Sequence, residues 1–304
     1  MLWYERFDME AAAKLPELTV EQEEPLSRHS SFRIGGPARR MAFPDTAEHL
    51  ITLEELGRLC GGEPLILGNG TNVLFPDEGL DRLVINTRDL CRMELSGECR
   101  LTAEAGLSLA RLAVFAQQNG LTGLEFAHGI PGSVGGAVCM NAGAYGGEMK
   151  DVLMGASVLF PGEGVRYLSV EELDLGYRHS LLTEHPEAVV MGAVFHLQKG
   201  DPGQIKGKMD ELMQRRKASQ PLEFPSAGST FKRPVGYFAG ALIQDAGLKG
   251  LTVGGAQVST KHAGFVINTG GATCADVLEL IAQVQQAVRE NAGVELEPEV
   301  RIIR

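Results

Sequence analysis

The sequence predicts an α+β fold, and three observations carry that prediction. The chain has 304 residues, enough for two or three separate cores. Its apolar runs are mostly short and strand-like, with few helical stretches among them. Pro221 and Pro225 then break the chain, and residues 222–304 read as a compact α+β unit of their own. No internal repeat or low-complexity segment interrupts this organisation.

Composition bounds the function. No apolar run of about 18 residues occurs, so no membrane span is expected. The N-terminus, MLWYERFDMEAAAKL, has early acids and no apolar core of signal-peptide length, which predicts a cytoplasmic protein. The five cysteines, Cys60, Cys91, Cys99, Cys139 and Cys274, are scattered and odd in number, with no C-x-x-C. That pattern predicts reduced thiols, and no zinc or other metal site is expected. A net charge of −11 disfavours nucleic acid as the main partner, so any anionic ligand needs a local cluster of positive charge.

In chain order, residues 8–17 read as a short helix. In the run HSSFRIGGPARRMAF, Gly35-Gly36-Pro37 separates Arg33 from Arg39-Arg40, which suits either phosphate groups or a solvated basic turn. Pro44-Asp45-Thr46 opens a helix to Leu59, with Asp45 or Thr46 as cap and Gly61-Gly62 as stop. In PLILGNGTNVLF a strand runs into Gly68-Asn69-Gly70-Thr71-Asn72, a loop able to turn several N–H groups toward one anion such as a pyrophosphate. It lacks G-x-G-x-x-G, and the strand LVINT, with no helix, follows it, so it is not a Rossmann fingerprint. Strands are expected near 91–105, then a Ser108-capped helix to Asn119-Gly120.

The stretch from Gly123 to Gly147 comes next. It holds Gly123, Gly129, Gly132, Gly135, Gly136, Gly143, Gly146 and Gly147 and almost no charge. It is too apolar for a solvated linker and too glycine-rich for a packed helix. It reads either as tight turns in a β-rich domain or as a wall of bare backbone against a large flat ligand, with Asn141 and Tyr145 as polar tips. Strands near 153–168 and 188–198 flank a turn at Val170-Leu173 and the motif GYRHS. Helices follow from Pro202 to Ser219, near 236–246 and from Ala272 to Asn291, and VELEPEVRII closes the chain as a strand.

These motifs together resemble one family, the UDP-N-acetylenolpyruvoylglucosamine reductases. SFRIGG, LILGNGTNVLF, GIPGSVGGAVCMNAGAYG, GYRHS, AGSTFKRP, LKGLTVGGAQVSTKHAGFVIN and LEPEVRII stand in family order over about residues 26 to 303. The resemblance implies a vanillyl-alcohol-oxidase (PCMH) type of FAD-binding region in two subdomains, 1–82 and 83–219, and a substrate-binding α+β domain, 220–304. It implies non-covalent FAD, with the pyrophosphate on Gly68, Asn69, Gly70, Thr71 and Asn72. Arg33, Gly129, Ile130, Gly132, Ser133, Gly136, Asn141, Gly143 and Arg216 would complete the cofactor site. GYRHSLLTEHPEAVVMG is short and has no second tyrosine, so the chain resembles the family's shorter second type, which lacks a tyrosine loop.

The implied reaction is reduction of the enolpyruvyl ether of UDP-N-acetylglucosamine enolpyruvate to UDP-N-acetylmuramate, for peptidoglycan synthesis. Hydride passes from NADPH to flavin N5 and then to substrate C3, and C2 takes a proton. Such chemistry needs an electrophilic stabiliser and a proton donor. By resemblance these are Arg178, Ser229 and Glu299, with the guanidinium fork suited to an enolate-like carboxylate. Lys217, Lys232, Arg233, Gln257 and His262 are expected to face the UDP-sugar. With only one pyrophosphate nest in the chain, NADPH is expected to use the substrate's cleft and leave before the sugar enters. Two rival readings stand beside this one. The first is an oxidase or dehydrogenase of the same flavin fold, tethering flavin through His128 or Cys139. The second is a non-catalytic nucleotide-sugar binding protein.

Overall fold

The computed structural model describes residues 1–304. The chain folds as two compact units, one of Met1–Gln22, Arg39–Asn69 and Asp81–Arg215, the other of Glu23–Ala38, Gly70–Leu80 and Arg216–Arg304. This division differs from the expected consecutive segments 1–82, 83–219 and 220–304, because two N-terminal pieces are built into the C-terminal unit. Backbone pairing is the cause. Strand Val73–Leu74 pairs in parallel with Arg301–Ile302, and the Ser226 N–H donates to the Ser31 carbonyl at 3.1 Å.

The first unit holds two cores. One lies between helices Trp3–Lys14 and Ala47–Cys60 and a sheet in the order Val20–Pro25, Pro37–Ala42, Leu80–Asn86, Leu65–Leu67, and buries Phe7, Leu50, Leu53 and Ile85. The first helix starts five residues earlier than expected from the run 8–17, because Trp3, Phe7 and Ala11 already line one face at i, i+4 spacing. Pro16 stops it. The second helix runs as the caps predict: Thr46 Oγ1 accepts from His49 N–H at 3.1 Å, and Gly61 ends it with φ 87°.

The other core of this unit backs an antiparallel sheet in the order Gly164–Ser169, Leu153–Phe160, Val189–His196, Arg100–Glu104, Met93–Leu95. Against it lie Leu109–Gln118, capped by Ser108, and a short helix Val134–Cys139 inside the glycine-rich stretch. The expectation that this stretch is too glycine-rich to pack as a helix is therefore corrected. Glycine is what allows the packing: a Cβ on Gly135 would meet Ala105 Cβ at 3.0 Å, while Val134, Ala137 and Val138 are buried. A one-turn helix, Leu181–Glu184, adds an element the sequence did not signal.

The second unit is a sheet in the order Ser226–Ser229, Phe265–Asn268, Ala256–Val258, Thr252–Val253, covered by helix Cys274–Ala292. Phe32, Leu74, Phe231, Val277, Leu280 and Val284 form its core. Thr273 Oγ1 caps the helix through Asp276 N–H at 3.0 Å, and Asp77 accepts from Cys274 and Ala275 N–H at 2.8 and 3.2 Å. Of the expected closing strand only Arg301–Ile302 is strand, with an isolated antiparallel bridge between Pro298 and Phe231 before it.

Candidate active site

In the second unit, Gly70, Thr71 and Asn72 form a tied loop. Gly70 has φ 60°, and a Cβ there would collide with the His29 carbonyl, so no other residue fits without movement. Ser31 N–H donates to the Gly70 carbonyl at 3.0 Å, and Ser31 Oγ donates to the Ser226 carbonyl at 2.6 Å. Asn72 is fixed by its far neighbours: its Nδ2 donates to the Glu299 carbonyl at 3.1 Å, and its own carbonyl accepts from Arg301 N–H at 3.0 Å.

The backbone segments that follow Ser229 and precede Val300 are paired here. Thr230–Lys232 runs beside Glu297–Glu299 through Glu299 N–H to the Thr230 carbonyl and Lys232 N–H to the Glu297 carbonyl, both 2.8 Å. The Glu299 peptide is thus held at both ends, by Thr230 and by Asn72. Ser229 follows Gly228, whose φ of 77° sits in the irregular register between Ser226 and Ser229. A bulge of this kind re-aims the side chain after it. Thr230, which the sequence did not nominate, is 3% exposed; its N–H donates to the Gly264 carbonyl and its Oγ1 accepts from Val266 N–H. No spacing signal marks it, because its partners lie 34 to 69 residues away along the chain.

The first unit carries Gly68, Asn69, the glycine-rich stretch and Arg178. A Cβ on Gly68 would strike Ser133 Oγ, so these two expected cofactor residues are neighbours. Gly129, Ile130 and Gly132 are half-buried and Gly136 is exposed, leaving bare backbone accessible along the stretch. Asn141 differs from its expected role as a polar tip. It is 1% exposed, with φ 40°, and its amide is engaged within the protein. Nδ2 donates to Glu148 Oε2 at 2.8 Å and to the Gly176 carbonyl at 3.0 Å, and Oδ1 accepts from Lys150 N–H at 3.0 Å. Gly143 needs no side chain, since a Cβ would press on Glu148. Arg178 stands at the tip of a two-residue turn closed by Gly176 and His179, with φ 53°. Ser180, fully buried, anchors the turn's exit by donating Oγ to the Cys139 carbonyl at 2.6 Å.

The remaining candidates divide by what they touch. Arg39 and Arg40 do not form a free phosphate site: Arg40 makes a fork to Asp8 with both bonds 2.7 Å, Arg39 bonds Asp81 at 3.1 Å, and Tyr4 lies under both. Arg33 is exposed with φ 57°, a backbone state rare for a side-chain-bearing residue. Arg216 and Lys217 end helix Pro202–Ser219, and Lys261 Nζ donates to the Lys217 carbonyl at 2.8 Å. Lys232 is ion-paired with Glu297, and Arg233 stacks its guanidinium on Phe238 at 3.9 Å. Gln257 donates to Thr252 Oγ1 at 3.0 Å. His262 accepts Gly264 N–H on Nδ1 at 3.2 Å, so its proton sits on Nε2. Burial holds the His262 imidazole below its ordinary 6.5, and Lys249 pushes the same way. Burial also depresses His128, whose Nδ1 has no partner. The Cys274 thiol is pushed up to about 11, first by burial and then by Asp77 and Glu78.

A flavin fits the residues of the first unit: Gly68 leaves no place for a Cβ beside Ser133, and bare backbone lies open at Gly136. In chain order no helix follows residue 72, only strand Val73–Leu74. Fold and site together define an FAD-containing oxidoreductase of the PCMH type, and residues 38–167 match the family described as FAD binding domain. Residues 220–303 match the C-terminal domain of UDP-N-acetylenolpyruvoylglucosamine reductase, and the chain belongs to that reductase family. A UDP-N-acetylenolpyruvoylglucosamine reductase of Caldanaerobacter subterraneus subsp. tengcongensis is 50% identical over 294 residues, 95% of this chain and 97% of its own. One from Limosilactobacillus reuteri is 48% identical over 290 residues, 95% of this chain and 97% of its own. The crystal structure of the Thermus caldophilus reductase superposes with a TM-score of 0.80 at 36% identity, covering 94% of this chain and 99% of that one.

Proposed function

We propose that the protein reduces the enolpyruvyl ether of UDP-N-acetylglucosamine enolpyruvate to UDP-N-acetylmuramate, in peptidoglycan precursor synthesis, and that it does so in the cytoplasm. No helix is long and apolar enough to cross a membrane. The observation that carries the reading is the pairing of the Ser229 and Glu299 segments through Thr230. That pairing supports the assignment of the Ser229 hydroxyl as proton donor for C2 and of the Glu299 carboxylate as the group that polarises it.

Bound FAD would supply the hydride-transfer chemistry between NADPH and the enolpyruvyl carbon C3. Gly68–Asn72, Gly129, Ile130, Gly132, Ser133, Gly136, Gly143, Arg33 and Arg216 are the residues we assign to holding it. Arg178 holds the substrate carboxylate and stabilises the negative charge that develops there, because a guanidinium stays protonated and binds a carboxylate through two parallel bonds. Ser229 delivers the proton to C2, and Glu299 sets the polarity of that hydroxyl. Lys217, Lys232, Arg233, Gln257 and His262 contact the UDP-sugar, His262 through its Nε2–H.

The test is the visible spectrum of the purified protein followed without oxygen. Flavin absorbance that bleaches with NADPH and returns on adding the enolpyruvyl sugar is the expected result. Bleaching that ignores the sugar would assign another acceptor. Flavin released into the supernatant on acid precipitation is expected for non-covalent binding; flavin retained in the pellet would favour a tether at His128 or Cys139.

A further inference from the structure

The Asn141 amide has one orientation compatible with its partners. Lys150 N–H can only donate, so it fixes Oδ1, and Nδ2 then faces two acceptors, Glu148 Oε2 and the Gly176 carbonyl. Glu148 is itself held by Lys150, with Nζ to Oε1 at 2.6 Å. The Gly176 carbonyl is the one that closes the turn bearing Arg178, accepting from His179 N–H at 3.3 Å as well. Ser180 fastens the other side of the turn to the Cys139 carbonyl. The turn keeps Arg178 at φ 53°, a strained conformation that persists only where surroundings impose it.

We propose that Asn141 is a positioning residue for Arg178. Its amide, set by Glu148 and Lys150, fixes the strained turn that aims the guanidinium; it does not contact the cofactor. This rests on the assignment of Arg178 to the substrate carboxylate. Misplacement of a charge-stabilising group by about 1 Å costs on the order of 10²-fold in rate, so loosening this turn should act on one chemical step alone.

The experiment compares Asn141→Ala, Arg178→Ala and the double variant as FAD-loaded enzymes. Asn141→Ala should keep its FAD content and its rate of flavin reduction by NADPH within about twofold, while reoxidation by the enolpyruvyl sugar slows at least about tenfold. In the double variant reoxidation should be no slower than in Arg178→Ala within about twofold, since the two residues act as one unit. Independently of turnover, hydrogen exchange at the His179 amide should speed up in Asn141→Ala. Loss of FAD from Asn141→Ala would return Asn141 to the cofactor site and overturn the proposal, as would unchanged reoxidation or additive slowing. If instead Arg178→Ala reoxidises normally while His179 exchange still rises in Asn141→Ala, the turn clamp is real but the role of Arg178 is wrong. Should Asn141→Ala fail to fold, Ser180→Ala, on the turn's other side, must show the same split between the two half-reactions, and its absence would overturn the proposal.

Discussion

Serine is a poor acid in water, so Ser229 depends on where its backbone places it. The bulge at Gly228 and the rigid Thr230 peptide do that, and neither relies on Lys232, which is paired with Glu297. Ser229→Ala should therefore leave flavin bound and its reduction by NADPH fast, while reoxidation by the sugar slows. Stopped-flow traces of the two half-reactions decide this, and slow reduction by NADPH would sink the proton-donor role. Arg178→Lys is the complementary test. It keeps the charge and loses the planar fork, so reoxidation should fall by roughly 10²-fold, the scale of losing one donor to developing charge. A Lys variant as fast as wild type would mean that charge alone suffices.

At the scale of elements, Thr46 caps helix Ala47–Cys60, whose face supplies Leu50, Leu53 and Leu56 to the first unit's core. Thr46→Ala should cost about 1 kcal/mol, read as a lower denaturant midpoint at unchanged slope. Such elements were legible in the sequence because their signals are local: Thr46 and Gly61, and Ser108 and Asn119-Gly120, mark helix ends with their own side chains or backbone freedom. What was not legible depends on distant partners. Val134–Cys139 can pack as a helix because Gly135 has no Cβ to press on Ala105. Val73–Leu74 joins the C-terminal unit because Arg301–Ile302 pairs with it. Motif order nominates Arg178, Ser229 and Glu299 for the roles proposed above. Thr230 and Glu148 were invisible, since each acts through a bond to a backbone carbonyl, N–H or amide that no motif records.

For the whole molecule, two of the seven histidines, both half-buried, have an acid response whose sign is fixed. His262 and His128 are both held below their ordinary 6.5, each first by burial. The folded protein therefore keeps these rings neutral at pH values where the unfolded chain begins to protonate them. Between the depressed folded values and 6.5 the unfolded state binds more protons at these two rings, so their contribution to stability falls as pH falls below about 6.5. His262 adds a specific contact to this: protonating Nδ1 would remove the acceptor of Gly264 N–H, which sits beside the Thr230–Gly264 bond that helps place Ser229 and Glu299. Urea midpoints measured from pH 7.5 down to 5.0 should decline. In His262→Gln, which cannot take up that proton, the decline should be shallower over the same range. An equal slope in the two proteins would assign the acid response to His128 or to the carboxylates. If the slope shallows but flavin reoxidation by the sugar is unaffected by the substitution, His262 stabilises its loop without contacting substrate.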